Sequence, residues 1–172
     1  MTTNKKNSGF TLVELLVVIA IIGILAAVAL VAINPLEMIK KGHDAARISD
    51  LESIRKAIDL SIADSSISLI AITEVDSNTS GATRLVDGTG WLGYTVVKAP
   101  GLGKYLPVLP IDPINNATYH YRFASTVSDG YELNCHFESA DYQAKEANDG
   151  GNSAGWYEVG SYPGLTLLGD PV

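Results

Sequence analysis

A single carboxylate lies inside the longest apolar stretch of this 172-residue chain. Residues 10–33 contain 21 apolar residues out of 24, and Glu14 is the only charged residue among them. An ionisable side chain in a membrane-inserting segment is costly, so it is a candidate functional residue whose partner has to be found. Because a buried charge without a partner is expensive, a partner for this carboxylate is expected wherever the segment is buried.

A second set of oxygen-bearing side chains could bind a metal ion. The sequence indicates one polar, glycine-rich loop here, and calcium prefers several oxygen ligands from such a loop. The spacing does not match the EF-hand pattern, and an acidic loop of this kind is commonly just solvated. Calcium binding and a solvated loop are therefore alternatives for Asp141, Glu146, Asp149 and Asn152.

No arrangement typical of catalysis is found in the sequence. Gly-x-Ser-x-Gly, a phosphate-binding glycine loop and His-Glu-x-x-His are all absent, and the chain has three histidines. We therefore predict that the protein is not an enzyme, with a membrane-anchored hydrolase as the alternative, because catalytic residues can be scattered in sequence.

The apolar stretch is long enough to form a membrane-spanning helix. Leu15 to Ile33 is a run of 19 residues without a charge, which spans roughly 28 Å at about 1.5 Å per residue. Lys5 and Lys6 place the N-terminus on the cytoplasmic side. A cleaved secretory signal is the alternative, since Ala27-Val28-Ala29 fits its cleavage site, but its apolar core is usually only about 7–15 residues long.

The rest of the chain has the composition of one acidic folded domain. The protein has 12 basic and 19 acidic side chains, a net charge of -7, and the excess of acid follows the apolar stretch. An acidic surface argues against nucleic acid as a partner. Because 12 of the 13 aromatic residues lie between Trp91 and Tyr162, this part is expected to fold around a core. Cys135 is the only cysteine, so no disulfide can form within the chain.

The start of the apolar stretch carries a dense motif. The sequence Ser8-Gly9-Phe10-Thr11-Leu12-Val13-Glu14-Leu15-Leu16 resembles the prepilin processing motif of type IV pilins and of type II secretion pseudopilins. The resemblance implies that prepilin peptidase removes residues 1–9, a cytoplasmic leader peptide, by cutting between Gly9 and Phe10, and that Phe10 is then N-methylated. It also implies that Glu14 pairs with the N-terminal amine of a neighbouring subunit and thereby sets the axial register of a filament.

The same resemblance implies a structural role. The chain would be a subunit of a type IV pilus-like filament built from copies of itself and other pilins. Its precursor would be a single-pass protein of the inner membrane, in contact with lipid, the prepilin peptidase/methyltransferase and an inner-membrane assembly platform. Its final place would be an extracellular pilus or, if it is a pseudopilin, a periplasmic filament. Some major pseudopilins bind calcium near their C-terminal strands, and the resemblance implies no other cofactor.

A second helical segment is expected after Pro35, which breaks or kinks the helix. Residues 10–33 would be the transmembrane and filament-core helix, and residues 34–67 its amphipathic continuation. One face repeats at helical spacing: Ile48, Leu51, Ile54, Ile58 and Ile62. The opposite face is expected to be solvated: Asp44, Arg47, Asp50, Glu52, Arg55, Lys56 and Asp59.

Residues 68–172 are expected to form a head with a small antiparallel sheet. Apolar residues alternate with polar ones on both sides of the turn signal Asp129-Gly130, in Tyr119–Ala124 and in Tyr131–Glu138. The pattern predicts a hairpin with one buried and one polar face, with Cys135 in the core and a third strand near Trp156. If Tyr119 pairs with Phe137, His120 faces His136, a weak alternative metal site. The predicted fold is α+β, a long N-terminal helix whose amphipathic half packs on a C-terminal sheet.

Overall fold

The computed structural model describes residues 9–79 and 81–169 of the chain. Two compact units are present, residues 1–39 and residues 40–172. The elements follow in the order α1 (Leu12–Ile33), α2 (Pro35–Ala63), β1 (Ile67–Ser68), β2 (Ile72–Asp76), β3 (Thr95–Val96), a 3₁₀ turn (Gly101–Lys104), β4 (Arg122–Ser125), β5 (Tyr131–Cys135), α3 (Ala140–Glu146) and β6 (Tyr157–Gly160).

Helix α1 is apolar on all sides. None of its 22 residues is buried within the chain, and its length of roughly 33 Å matches the hydrocarbon thickness of a bilayer. Within the described part of the chain, one helical stretch is long and apolar enough to cross a membrane. The helix ends at Asn34, which adopts a left-handed conformation with φ 43°, and α2 begins with Pro35, whose missing N–H costs nothing at a first helical position.

Helix α2 covers the inner face of the sheet, as the sequence predicts. Leu51, Ile54 and Ile58 are fully buried, and Ile48 and Ile62 pack at the margin of the same core. Polar contacts accompany this packing, because three acids of the helix, and Asp64 directly after its end, accept hydrogen bonds from the head. These pairs are Asp44 with Ser139, Asp50 with Tyr121, Asp59 with Tyr131 and Asp64 with Tyr105.

The main sheet has four antiparallel strands in the order β2-β4-β5-β6. Arg122 pairs with Asn134 and Phe123 with Leu133, so the two alternating segments form the predicted hairpin. The apolar residues of the inner face are all fully buried: Tyr121, Phe123, Tyr131, Leu133, Cys135 and Phe137. A helix packed on an antiparallel sheet confirms the α+β fold.

The outer face of this sheet differs from the prediction. It carries polar residues, but they are buried rather than solvated, with exposed fractions of 5% for Arg122, 0% for Glu132 and Asn134, and 1% for Glu158. Residues 165–169, here called the C-terminal segment, bond to Glu132 and to Arg122, whereas the side chain of Glu158 lies against Gly151 and Ser153. The amides of Leu167 and Leu168 both donate to Glu132 Oε2, at 2.7 and 3.2 Å.

Two elements of the head have no clear signal in the sequence. Strand β2 is a five-residue edge strand with mostly exposed or half-buried side chains. Helix α3 has seven residues, which is too short for a helical repeat to be recognised. Asp141 and Glu146 therefore lie on a helix, and the prediction that places them in a polar loop is wrong.

The Cys135 thiol is expected to be unreactive in the folded head. It is fully buried, and burial raises its pKa well above the ordinary value, whereas the thiolate is the reactive form. An aromatic disulfide reagent should label it slowly in native buffer and fully once urea unfolds the head. Labelling at the rate of a free thiol in native buffer would contradict this placement.

Candidate functional site

The residues of the predicted cleavage site lie directly in front of α1. Gly9 and Phe10 have no regular secondary structure, and the side chain of Phe10 is 85% exposed. Among the described residues, leaving out Gly9 and its chain neighbours, no heavy atom lies within 4 Å of the position that a Cβ of Gly9 would occupy. The peptide bond between them is therefore open to another protein. Residues 1–8 of the predicted leader, with Lys5 and Lys6, lie outside the described residues.

Glu14 closes a capping box at the start of α1. The Thr11 amide and the Thr11 hydroxyl both donate to Glu14 Oε2 at 2.8 Å, and the Glu14 amide donates to Thr11 Oγ1 at 3.3 Å. The first amides of a helix have no partner within the helix, so these contacts satisfy two of them. Both hydrogen bonds to the Glu14 carboxylate end on Oε2, so the cap does not require Oε1.

Thr11 is a site residue that the sequence analysis overlooks. Ser or Thr followed three residues later by Glu, just before an apolar run, is a sequence signal for a capping box. Thr11 and Glu14 carry this signal, so the geometry of Glu14 could have been predicted. The negative charge of Glu14 also lies at the helix end that the helix dipole makes positive.

The sequence around this helix start was compared with known protein families. Residues 4–30 match the prokaryotic N-terminal methylation motif. The chain carries a prepilin-type methylation motif. This motif belongs to type IV pilins and pseudopilins, and it supports membership of that family. It implies processing by prepilin peptidase and assembly with other pilins, and together with helix α1 it fits a membrane-anchored precursor. No curated protein and no solved structure matches the chain.

The head contains a buried ionic cluster that the motif does not involve. Arg47 on α2 donates to Asp112 at 2.6 and 2.9 Å and to Asp44 at 2.7 Å, and it forms an ion pair with Glu138 at 2.8 Å. Its guanidinium group also lies 5.0 Å from the centre of the Tyr119 ring. One cation thus holds three carboxylates from three parts of the chain.

This cluster overturns part of the predicted solvated face of α2. The side chains of Asp44 and Arg47 are fully buried, while Lys56 and Asp59 on the same helix are exposed. Burial alone disfavours the ionised form of Asp112, but the hydrogen bonds from Arg47 outweigh it and keep the pKa of Asp112 below its ordinary value. Asp112 is therefore ionised beside Arg47, and the buried cluster ties α2 to the head.

The four calcium candidates have contacts of their own. Asp141 is paired with Lys41 at 2.5 Å, and Glu146 accepts a hydrogen bond from the Phe137 amide at 2.7 Å. Asp149 accepts from the amides of Gly151 and Glu158, and Asn152 lies against Glu158. Within residues 9–79 and 81–169, no group of three or more His, Cys, Asp or Glu side chains could hold a metal ion. Calcium binding stays a prediction from the sequence.

The two histidines of the predicted hairpin line one cavity. Continuing the register of β4 and β5 places His120 opposite His136, and both border a cavity of about 870 Å³ beside Trp156. His136 Nδ1 lies 2.8 Å from the Gly155 carbonyl oxygen and 3.0 Å from Glu146 Oε1. The Glu146 carboxylate raises the pKa of His136. These contacts give His136 a structural role within the head.

Proposed function

We propose that the chain is a structural subunit of a type IV pilus-like filament, made as a membrane-anchored precursor. The observation that carries the proposal is the methylation motif at residues 4–30, followed directly by a helix that is apolar on all sides. A helix of this kind has to be covered by lipid or by other apolar helices. One helix then serves twice, as membrane anchor before assembly and as filament core afterwards.

Glu14 is the residue that connects processing to assembly in this proposal. A cut between Gly9 and Phe10 creates a cationic amine one residue before the helix cap. In the packed filament this amine and the carboxylate of a neighbouring Glu14 would form an ion pair. A subunit at the wrong depth would leave two charges unpaired among apolar side chains, which is strongly unfavourable. The pair therefore selects one axial position for each subunit.

The mature N-terminus is the most direct test of the proposed processing. Mass spectrometry of protein recovered from the membrane should find an N-terminus at a methylated Phe10, with Gly9 and all earlier residues removed. Deleting the gene of the prepilin peptidase should leave the leader in place. An N-terminus at Leu30 would instead mean cleavage as a secretory signal after Ala29, and it would contradict the proposal.

A pseudopilin of a type II secretion system is the second candidate. The stretch Tyr105-Leu106-Pro107, continued by Asp112-Pro113, resembles the segment that precedes the sheet in major pseudopilins, and it supplies Asp112 to the Arg47 cluster. The chain after Glu138 departs from that design, because it has a long loop and adds tail sequence from Trp156 to Pro171. We therefore favour a pilus subunit, located outside the cell after assembly.

The gene neighbourhood distinguishes the two candidates. A pilus subunit should be encoded near a retraction ATPase, whereas a pseudopilin should be encoded near an outer-membrane secretin and several small pseudopilins. Visible surface filaments that disappear when this gene is deleted would support the pilus. A secretion defect without any loss of surface filaments would support the pseudopilin.

A further inference from the structure

The cavity beside Trp156 is large enough to hold a small molecule. Its volume is about 870 Å³, and ligand pockets in proteins typically measure roughly 300–1,000 Å³. Strand β2 contributes Glu74 and Asp76 to its lining, because side chains two residues apart on a strand lie on the same face. The cavity belongs to the head alone, and neither the methylation motif nor helix α1 contributes to it.

Asp76 is a carboxylate of this lining that the head leaves without a hydrogen bond. Its Oδ1 is buried and has no donor among the described residues, although the side chain as a whole is 31% exposed. Asp76 is directly opposite Arg122 in the sheet. The Arg122 guanidinium group instead donates to Glu74 and to the Gly169 carbonyl oxygen. The cation across the sheet is therefore engaged elsewhere.

His120 does not donate to Asp76 either. Its Nδ1 lies 3.2 Å from the Asn116 carbonyl oxygen, which can only accept, so Nδ1 carries the hydrogen of the neutral imidazole. The Nε2 atom then has a lone pair, and it lies 3.8 Å from Asp76 Oδ1, which is too far for a hydrogen bond. Two acceptors thus lie next to each other, and no described residue places a donor between them.

A ligand with a positive charge and several donors would satisfy both acceptors. Burial raises the pKa of Asp76, as expected for a carboxylate whose charge is poorly compensated. A metal ion does not fit, because within residues 9–79 and 81–169 no three His, Cys, Asp or Glu side chains converge to hold one. A primary ammonium group has three donors and needs only acceptors around it.

The rest of the lining favours an apolar chain next to that charge. Ala117, Ala154 and Trp156 also border the cavity, and the two alanines are exposed. The Trp156 ring is close to the acceptors, since its centre lies 5.7 Å from the centre of the His120 ring. Small apolar side chains beside an unpaired carboxylate suit a ligand with a charged head and a short hydrocarbon body.

We propose that this cavity binds a primary ammonium group carried on a short apolar chain, with Asp76 and His120 Nε2 as its acceptors. The same chemistry is present in a free alkylamine and in the lysine side chain of another protein. The site is independent of the filament function, because it requires only the folded head.

Titration with butylammonium measures the binding. The full chain, labelled with ¹⁵N in nonionic detergent micelles, would be titrated at constant ionic strength and about pH 8, where an ordinary imidazole is neutral. The chain has two tryptophans, hence two indole N–H signals, which Trp156→Phe assigns. The Trp156 signal should shift to saturation. The Trp91 signal should not, because that indole donates to Pro110 away from the cavity. Uncharged 1-butanol should bind at least about tenfold more weakly.

Matched variants assign the binding to Asp76. Asp76→Asn keeps the shape of the side chain and removes its charge, so the affinity for butylammonium should fall at least about tenfold. Asp141→Asn removes the same charge from a side chain that is 67% exposed on α3, and it should leave the affinity unchanged. Should Asp76→Asn disturb the Trp91 signal, Asp76→Ser replaces it, with the same expectation.

A lysine residue blocked at both ends distinguishes the two sources of the ammonium group. Binding at least as tight as that of butylammonium would support a lysine side chain of another protein, whereas binding of butylammonium alone would support a free amine. Three results would overturn the proposal: no shift of the Trp156 signal with butylammonium, equal affinity for 1-butanol, or unchanged affinity in the folded Asp76 variant.

Discussion

Arg47→Leu is expected to lower the free energy of unfolding of the head by about 3–5 kcal/mol. Arg47 is fully buried, and it is the cation that Asp44, Asp112 and Glu138 share. Leucine restores apolar volume but leaves three carboxylates without their counter-charge. The loss approaches the whole stability of a typical small domain. Urea denaturation of the full chain in micelles, followed by tryptophan fluorescence from the head, measures it.

Arg55→Leu is the matched control for this prediction. Arg55 is on the same helix and also pairs with an acid, Glu52, at 2.9 Å, but its side chain is 39% exposed. Exposed pairs contribute about 0–1 kcal/mol, so this variant should unfold within about 1 kcal/mol of the wild type. Equal stability of the two leucine variants would refute the view that the Arg47 cluster holds α2 to the head. Arg47→Lys should remain destabilised, because an ammonium group cannot reproduce the planar set of donors.

Glu14→Ala is expected to lower the yield of assembled filaments by about tenfold or more, while the leader is still cleaved. The proposed cleavage site between Gly9 and Phe10 lies before the first residue of α1, so we expect cleavage to be independent of the Glu14 carboxylate. Assembly does need it in our proposal, because the amine of Phe10 has no other partner in an apolar bundle. Filament yield from sheared cells, together with the mass of the subunit left in the membrane, measures both effects. A normal yield of filaments from the Glu14→Ala variant would refute the proposed ion pair.

Thr11→Ala separates the two roles of Glu14. This variant removes the hydroxyl that caps α1 and that donates to Glu14, but it leaves the carboxylate available to a neighbouring amine. The helix end should be weakened by about 1 kcal/mol, the usual effect of losing a cap, and filaments should still form. If Thr11→Ala reduced the yield as severely as Glu14→Ala, the capping box rather than an intersubunit ion pair would explain the requirement for Glu14.

The features that the sequence predicts are those with a local pattern. The apolar run of residues 10–33 predicts α1, and the alternation through Phe123 and Leu133 predicts the hairpin and the side chains that face its core. The spacing of Leu51, Ile54 and Ile58 predicts the face of α2 that enters the core. In each case a period of 2 or 3.6 residues directs side chains to one side, so burial follows from the pattern alone.

The features that the sequence does not predict depend on contacts between distant residues. Arg47 donates a hydrogen bond to Asp112, which lies 65 residues further along the sequence, and no local spacing predicts that contact. The outer face of the sheet has the polar alternation of a solvated surface, but the C-terminal segment bonds to Glu132 and Arg122, and residues 151–153 lie against Glu158. The C-terminal segment has no helix or strand, and therefore no periodic signal. Thr11 is the exception, because its capping pattern is local.

Three acids of α2, together with Asp64 directly after its end, have a mechanical consequence. Asp44, Asp50, Asp59 and Asp64 each accept a bond from the head, and 20 positions separate the first from the last. Hydrogen bonds that join a helix to its neighbour at several points along its length are loaded together when the helix is pulled along its axis. Such a junction fails only when all of them shear, whereas a peeling force would break them one after another. The head of a subunit under axial tension is thus held in the stronger of the two loading directions.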